Sequence, residues 1–137
     1  QIEDITVGLS ASFSKTVTEG DIILFCGVSG DCNPVHIDEE YAKTTPFGTR
    51  IAHGMLSASF ISNVLGMRLP GPGVIYLGQN LRFKAPVRIG DTVTATATVL
   101  EVIPEKRRVT LSTVCTVADK PVIEGEATLM ATTRKGN

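Results

Sequence analysis

The sequence predicts an α+β fold in which an antiparallel sheet is wrapped around one long apolar helix. Three observations lead there. The stretch "GMLSASFISNVLGM" at 54–67 is apolar round nearly its whole circumference. Four later stretches alternate apolar and polar residues with a period of two. The links between them, such as "RIGD" and "ADKP", are short enough to make neighbours pair antiparallel. A run of strands kept apart from one dominant helix is the pattern of an α+β domain.

Each element follows from its residues. "SASFSKTVT" (10–18) reads as a first strand, with Phe13 and Val17 among polar neighbours. "TEGDIILFCGVSG" (18–30) reads as a short helix. Thr18 can cap it, Glu19 and Asp21 suit the positive end of its dipole, and Gly27 or Gly30 can end it. Residues 31–50 are irregular, with Pro34, Pro46, Gly48 and a helical turn after Asp38. Long crossing segments of this kind usually carry function. The 54–67 helix is too long for an isolated buried strand, its Ala, Leu and Met are good helix formers, and Pro70 and Pro72 stop it.

The period then changes. Residues 74–86 set Ile75, Leu77, Gln79, Leu81 and Phe83 on one face. Residues 92–102 set Val93, Ala95, Ala97 and Val99 against a row of threonines. Residues 108–117 set Val109, Leu111, Thr113, Cys115 and Val117 on one face, and residues 122–132 set Ile123, Gly125, Ala127 and Leu129 on another. A sheet with one apolar face must cover it, and the apolar helix is the available cover. Two sheet edges remain open, and pairing with a second copy is a common remedy, so a homodimer is expected.

Length and charge bound the rest. A chain of 137 residues fits one domain, 1–137, with a core of its own. A net charge of −1 and the lack of any basic block argue against nucleic acid as a partner. No stretch reaches the ~18 apolar residues of a membrane span. The first residues show no basic-then-apolar secretion signal, although the chain begins with Gln and processing is left open. Cys26, Cys32 and Cys115 are odd in number and lack CxxC spacing, which suggests reduced thiols and a cytoplasmic location. With His36 and His53 as the only imidazoles, no zinc site is expected.

The chemistry concentrates in "GDCNPVHIDEEYA" (30–42), just ahead of the apolar helix. Asn33-Pro34 forces an extended or turned backbone, so Asp31 and His36 can face one side without helical register. Together they form a minimal acid–base pair. Gly54 opens the helix, where its N–H has no acceptor within the helix and lies at the positive end of the dipole. Such an amide can hold developing negative charge on a carbonyl oxygen, and glycine leaves room for that atom to approach. His53 reads as a packed or capping imidazole. Gln79, an amide on an apolar strand face, needs a partner: either backbone or the loop that carries Asp31.

"FCGVSGDCNPVHIDEEYA" closely resembles the hydratase-2 motif of the MaoC-like, R-specific enoyl-CoA hydratases and related hydroxyacyl-thioester dehydratases. Gly30, Asp31, Asn33, Pro34, Val35, His36 and Ala42 stand in register with it, and the similarity extends through "HGM" (53–55) and "FKAPVRIGDTV" (83–93). The resemblance implies a hot-dog fold assembled as a dimer. It implies that Asp31 and His36 are catalytic, that the Gly54 amide is the oxyanion donor, and that Ser62 lines the site. Asn33 is grouped with Gly54 and Ser62 as a candidate substrate-binding residue, although its place suits bracing the loop better than reacting; Ser59, Ser62 and Asn63 share the helix's polar stripe.

The expected activity is reversible hydration of a trans-2-enoyl-CoA to the (R)-3-hydroxyacyl-CoA. Asp31 would accept a proton from water, and His36 would orient that water and protonate the α-carbon. CoA is then part of the substrate, with no metal or redox cofactor needed, because the thioester already acidifies the α-position. The CoA phosphates call for positive charge at the mouth, from among Arg50, Arg68, Arg82, Lys84 and Arg88. Leu65, Val35 and Phe60 are expected along the acyl pocket. Three other readings stay open: a hot-dog acyl-CoA thioesterase, a hydroxyacyl-carrier-protein dehydratase, and a non-enzymatic acyl-binding module. The location implied is cytoplasmic, or the mitochondrial matrix in a eukaryote.

Overall fold

A computed structural model describes residues 1–136. The order is β1 (Ser10–Thr16), α1 (Glu19–Ser29), α2 (Pro34–Ile37), α3 (Glu39–Ala42), α4 (Gly54–Met67), β2 (Ile75–Phe83), β3 (Thr92–Ile103), β4 (Arg108–Val117) and β5 (Lys120–Met130), with short 3-10 turns at Ile2–Asp4 and Pro104–Lys106. All strands join one antiparallel sheet in the order β1-β3-β4-β5-β2. The apolar helix α4 packs on β1, β3 and β4.

Local chemistry sets the ends of α1. Thr18 accepts from the Asp21 N–H at 3.1 Å while the Asp21 carboxylate accepts from the Thr18 N–H at 2.9 Å, a reciprocal cap. Gly30, at φ 78°, takes the left-handed conformation that closes the other end. Of the two glycines considered for that role, Gly30 fills it.

The alternation read from β3, β4 and β5 is the alternation of burial. Val93, Ala95, Ala97, Val99, Val109, Leu111, Cys115, Ile123, Ala127 and Leu129 meet Leu56, Phe60, Ile61, Val64 and Leu65 of α4 in one core. On the opposite face the threonines of β3 pair across to β1. Thr92, Thr94, Thr96 and Thr98 share hydrogen bonds with Thr16, Ser14, Ser12 and Ser10 at 2.7–3.2 Å, a hydroxyl ladder along an outer strand. Gly125 is fixed by packing: a Cβ there would stand 2.0 Å from the carbonyl oxygen of Asn80 on β2.

Two expectations need correction. First, β2 is an edge strand only partly covered by α4, so Ile75, Leu77 and Phe83 are exposed and only Gln79 and Leu81 are half-buried. Second, Cys26 and Cys32 are bridged, leaving Cys115 as the free thiol. The turn at Gly30 folds the chain back on the last turn of α1 and brings the two Cα atoms to 5.2 Å, within ordinary bridging range. Cys115 is buried, which pushes its thiol up to about 12, and it donates weakly to the Ser57 carbonyl.

Of the two partners open to Gln79, backbone or the Asp31 loop, the structure shows backbone, together with a buried hydroxyl. Gln79 Nε2 donates to the fully buried hydroxyl of Thr113 at 2.9 Å and to the Asn80 carbonyl at 2.8 Å, and Tyr76 donates to its Oε1. Replacing Gln79 with Leu strands the Thr113 hydroxyl in the core. The expected loss is about 1–3 kcal/mol of stability, the usual cost of an orphaned buried polar group. In urea melts, Gln79→Leu combined with Thr113→Val should recover most of that loss, because both partners are then apolar.

Candidate active site

Four backbone devices aim the side chains. The Asp31 carboxylate accepts from the Asn33 N–H at 3.2 Å, a turn that fixes its direction. The Asn33 side chain in turn accepts from the Val35 N–H at 3.2 Å and caps α2. Asn33 thus braces the loop and lies outside the cavity, which corrects its assignment as a substrate-binding residue. Asp38 caps α3 by accepting from the Tyr41 N–H. The Glu39 carboxylate accepts from the Thr49 hydroxyl and the Arg50 N–H, bonds that hold it below the usual carboxylate range and close the crossing segment on itself.

Residues 51–53 then return beside the sheet. Ile51 bridges to Arg88, and the Ala52 N–H donates to the Val87 carbonyl at 2.7 Å. The Ile51 carbonyl accepts from His36 Nδ1 at 2.8 Å. A carbonyl can only accept, so Nδ1 carries the hydrogen and Nε2 is left with its lone pair. His53 Nε2 likewise donates to the Asp31 carbonyl at 2.8 Å. The two imidazoles stack with centroids 3.9 Å apart and planes 30° apart.

Asp31, His36, His53 and Gly54 line one cavity of about 540 Å³ together with Phe47, Ser57, Phe83, Lys84 and Pro86. One ligand atom from each of Asp31, His36 and His53 lies within 4.8 Å of the others. A water hydrogen-bonded at ~2.8 Å to two acceptors spans up to roughly 5.5 Å, so one water can serve the carboxylate and an imidazole together. Two histidines and a carboxylate are also metal-ligand chemistry. His36 Nδ1 and His53 Nε2 are committed to carbonyls, so each ring has one nitrogen left to meet a water or another ligand.

Gly54 is the first residue of α4, preceded by His53 as cap residue without a side-chain cap bond. Its N–H therefore has no acceptor within the helix. The space expected beside Gly54 is taken partly by protein: a Cβ would meet the Phe83 ring at 2.6 Å. Phe83 thus sets the need for glycine here as much as any ligand does.

Ser62 is not at this cavity. It is exposed and lines a second one, about 470 Å³, with Phe25, Met55, Ser59, Tyr76 and Gln79. The serine beside Asp31 and His36 is Ser57, almost fully buried, with a hydroxyl that has no partner among the described residues. The signal for it was its place three residues after Gly54, one turn up the same helix face. Leu65 and Phe60, expected along an acyl pocket, are core residues facing the sheet.

The basic candidates also sort themselves. Arg50 is committed to the fold, donating through Nε to the His36 carbonyl at 2.7 Å and through NH1 to Glu19 at 2.7 Å. Arg68 donates to the Ser12 carbonyl and lies over the Phe13 ring. Arg88 donates to the Phe47 carbonyl. Lys84 lines the cavity, with its ammonium half-exposed and 3.9 Å from Glu124.

Burial lowers the His36 pKa below 6.5; the positive charge of His53 acts in the same direction, and the Ile51 bond and Asp31 oppose it. Unprotonated Nε2 is therefore the form present at neutral pH, and the acid limb of any rate that needs it should lie below pH 6.5. The same shift links to stability. Between the lowered native value and 6.5 the unfolded chain binds more protons, so this group's contribution is complete above 6.5 and declines as pH falls through that window. Urea melts on either side of pH 6.5 should show the decline, and His36→Ala should flatten it.

With this geometry in place, comparison with known proteins is specific. Residues 5–125 match the family model described as "MaoC like domain". The chain is 67% identical over 132 residues to an (R)-specific enoyl-CoA hydratase of Rhodospirillum rubrum, covering 96% of this chain and 92% of that one. Among solved structures it is similar to an unliganded R-hydratase from Pseudomonas aeruginosa, with TM-score 0.90 and 49% identity over 95% of this chain and 84% of that one. It is also similar to an (R)-hydratase from A. caviae involved in PHA biosynthesis, with TM-score 0.92 and 40% identity over 95% and 99% of the two chains. The fold is the hot-dog fold of these hydratases. A motif in register, a shared fold and matching over nearly the whole length lead to one conclusion: the chain belongs to the MaoC-like domain family.

Proposed function

We propose that the chain is an (R)-specific enoyl-CoA hydratase, a hydro-lyase that adds water reversibly to trans-2-enoyl-CoA. One observation carries the reading: the Asp31 carboxylate and a ring nitrogen of His36 lie within 4.8 Å of each other, a single water's reach, at a cavity that Gly54, the first residue of α4, also lines. A water that donates one hydrogen to the Asp31 carboxylate and the other to His36 Nε2 must turn its lone pairs away from both. Those lone pairs then face the cavity, where the β-carbon of an enoyl thioester would lie.

The bonds follow from that orientation. Water oxygen attacks the β-carbon, the double-bond electrons move toward the thioester, and negative charge gathers on its carbonyl oxygen. The Gly54 N–H and the dipole of α4 hold that charge. Because His36 Nε2 begins without a hydrogen, it cannot be the initial proton donor. The pair takes one proton from water and returns it to the α-carbon, so hydroxyl and hydrogen add across the double bond and the site is restored. Asp31 and His36 act as one coupled acid–base unit, since such a pair need not divide its duties.

The substrate brings its own activation, since the thioester stabilises charge at the α-carbon, and this reading calls for no metal or redox cofactor. Lys84 is placed to meet a CoA phosphate. The whole chain, 1–137, serves as one domain. The exposed edge of β2, with Ile75, Tyr76, Leu77 and Phe83, supports pairing with a second copy as a homodimer. Among the described residues no helix is long and apolar enough to cross a membrane. Cytoplasmic residence fits the bacterial hydratase relatives.

Crotonyl-CoA tests the reading. The expected result is loss of the conjugated thioester absorbance, with (R)-3-hydroxybutyryl-CoA as product and no free thiol. Release of CoA thiol with the double bond intact would replace hydration with thioester hydrolysis. Turnover only of carrier-protein thioesters would place the chain among the dehydratases of fatty-acid synthesis.

A further inference from the structure

His53 touches three separate elements through one ring. It stands 4.8 Å from the Phe25 ring of α1 and 3.9 Å from the His36 ring of α2, and its Nε2 donates to the Asp31 carbonyl between them. The ring is 2% exposed, and its Nδ1 has no partner among the described residues. Its own backbone occupies the cap position of α4, where Ser, Thr, Asp or Asn would ordinarily accept from the first turn. His53 makes no such bond. The side chain therefore answers to what surrounds the cavity rather than to the helix end.

We propose that His53 is a positioning residue for hydration, holding the face of the His36 ring and the backbone of Asp31 at once so that both acceptors meet one water. The inference rests on the hydratase reading above. An imidazole turns about two side-chain bonds, and the Nδ1 bond to Ile51 fixes only one edge of the His36 ring. The ring can still rock about that bond. The His53 stack removes the rocking, and the Nε2 bond fixes the peptide from which the Asp31 carboxylate projects. A misplacement of about 1 Å in such a constellation typically costs about 100-fold in rate.

Charge gives a second readout. The charged and titratable groups around His36 are Asp31 from the loop, His53 from the mouth of α4, Arg50 on the His36 carbonyl with Glu19 beyond it, and Lys84 across the cavity. The charge of His53 depresses protonation of His36, so removing it should raise the pH at which His36 titrates.

Two variants divide the contacts. His53→Phe keeps a ring in the stack and loses the donor to Asp31, whereas His53→Gln keeps a donor of similar reach and loses the ring. With rates normalised to the folded fraction from urea melts, each should lower kcat for crotonyl-CoA about 10- to 100-fold with KM little changed. The acid limb of kcat should move to higher pH in both. Parental kcat per folded molecule in either variant overturns the proposal, as does an acid limb that stays in place in both. Absence of crotonyl-CoA hydration by the parent chain would instead overturn the hydratase reading, so the two failures are distinguishable.

Discussion

Replacing Asp31 with Asn should lower kcat for crotonyl-CoA hydration by about 100- to 10,000-fold while leaving the fold intact, and His36→Ala should do the same. The Asn variant is informative because it preserves shape. Its side-chain oxygen can still accept from the Asn33 N–H, so the turn that aims residue 31 survives. What changes is the atom offered to water. A carboxylate presents only acceptors, whereas an amide offers a donor on one side and a far weaker base on the other. The water can then no longer donate to both partners, and its lone pairs lose their direction.

His36→Ala removes the second acceptor and the stack on His53 together. Because the two residues act on one water, the double variant should be scarcely slower than the worse single variant, as groups that act as a unit are not additive. The measurement is kcat at saturating crotonyl-CoA, with circular dichroism and urea melts confirming folded protein. Retained turnover in both single variants would remove Asp31 and His36 from the chemistry and with them the proposed hydration. Multiplicative losses in the double variant would separate their duties and restore two independent roles.

The sequence discloses some parts of this molecule better than others, for physical reasons. The span of α4 is legible to the residue, because an apolar run bounded by His53-Gly54 and by the prolines after Met67 has only one helical reading. Burial along β3, β4 and β5 is legible because a period of two reports which face a side chain takes. That period does not report what lies opposite. β2 alternates as convincingly as its neighbours, yet its place at the sheet edge, only partly covered by α4, leaves most of its apolar residues exposed.

The site divides the same way. Asp31, Asn33 and His36 sit within one short loop, so local backbone chemistry suffices to place them together. The choice between Ser57 and Ser62 depends on how α4 is rotated about its own axis, which the sheet decides and the helix sequence does not. The Cys26–Cys32 bridge depends on a left-handed turn at Gly30 that folds the chain back between residues only six apart. The Phe83 ring against Gly54 joins positions far apart in the chain. None of these contacts leaves a periodic trace.

The Gly54 amide can be removed almost by itself. Proline at the first helical position costs the helix nothing in hydrogen bonds, since the N–H there has no acceptor within it. The residue before proline must be extended, and His53 already is, at φ −58° and ψ 135°. Gly54→Pro therefore deletes one N–H from the mouth of α4 while leaving the backbone course unchanged. The complication is the new Cβ, which would meet the Phe83 ring at 2.6 Å and force that exposed ring aside. Gly54→Ala carries the same Cβ and keeps the N–H, so the ratio of the two variants isolates the amide. Charge gathers on the thioester oxygen only as the β-carbon is attacked, so the loss should fall on kcat rather than KM. Gly54→Pro should be about 100- to 1000-fold slower than Gly54→Ala, the usual worth of one oxyanion donor. Equal rates in the two variants would mean that the oxygen's charge is held elsewhere, and the helix mouth would lose its part in the reaction.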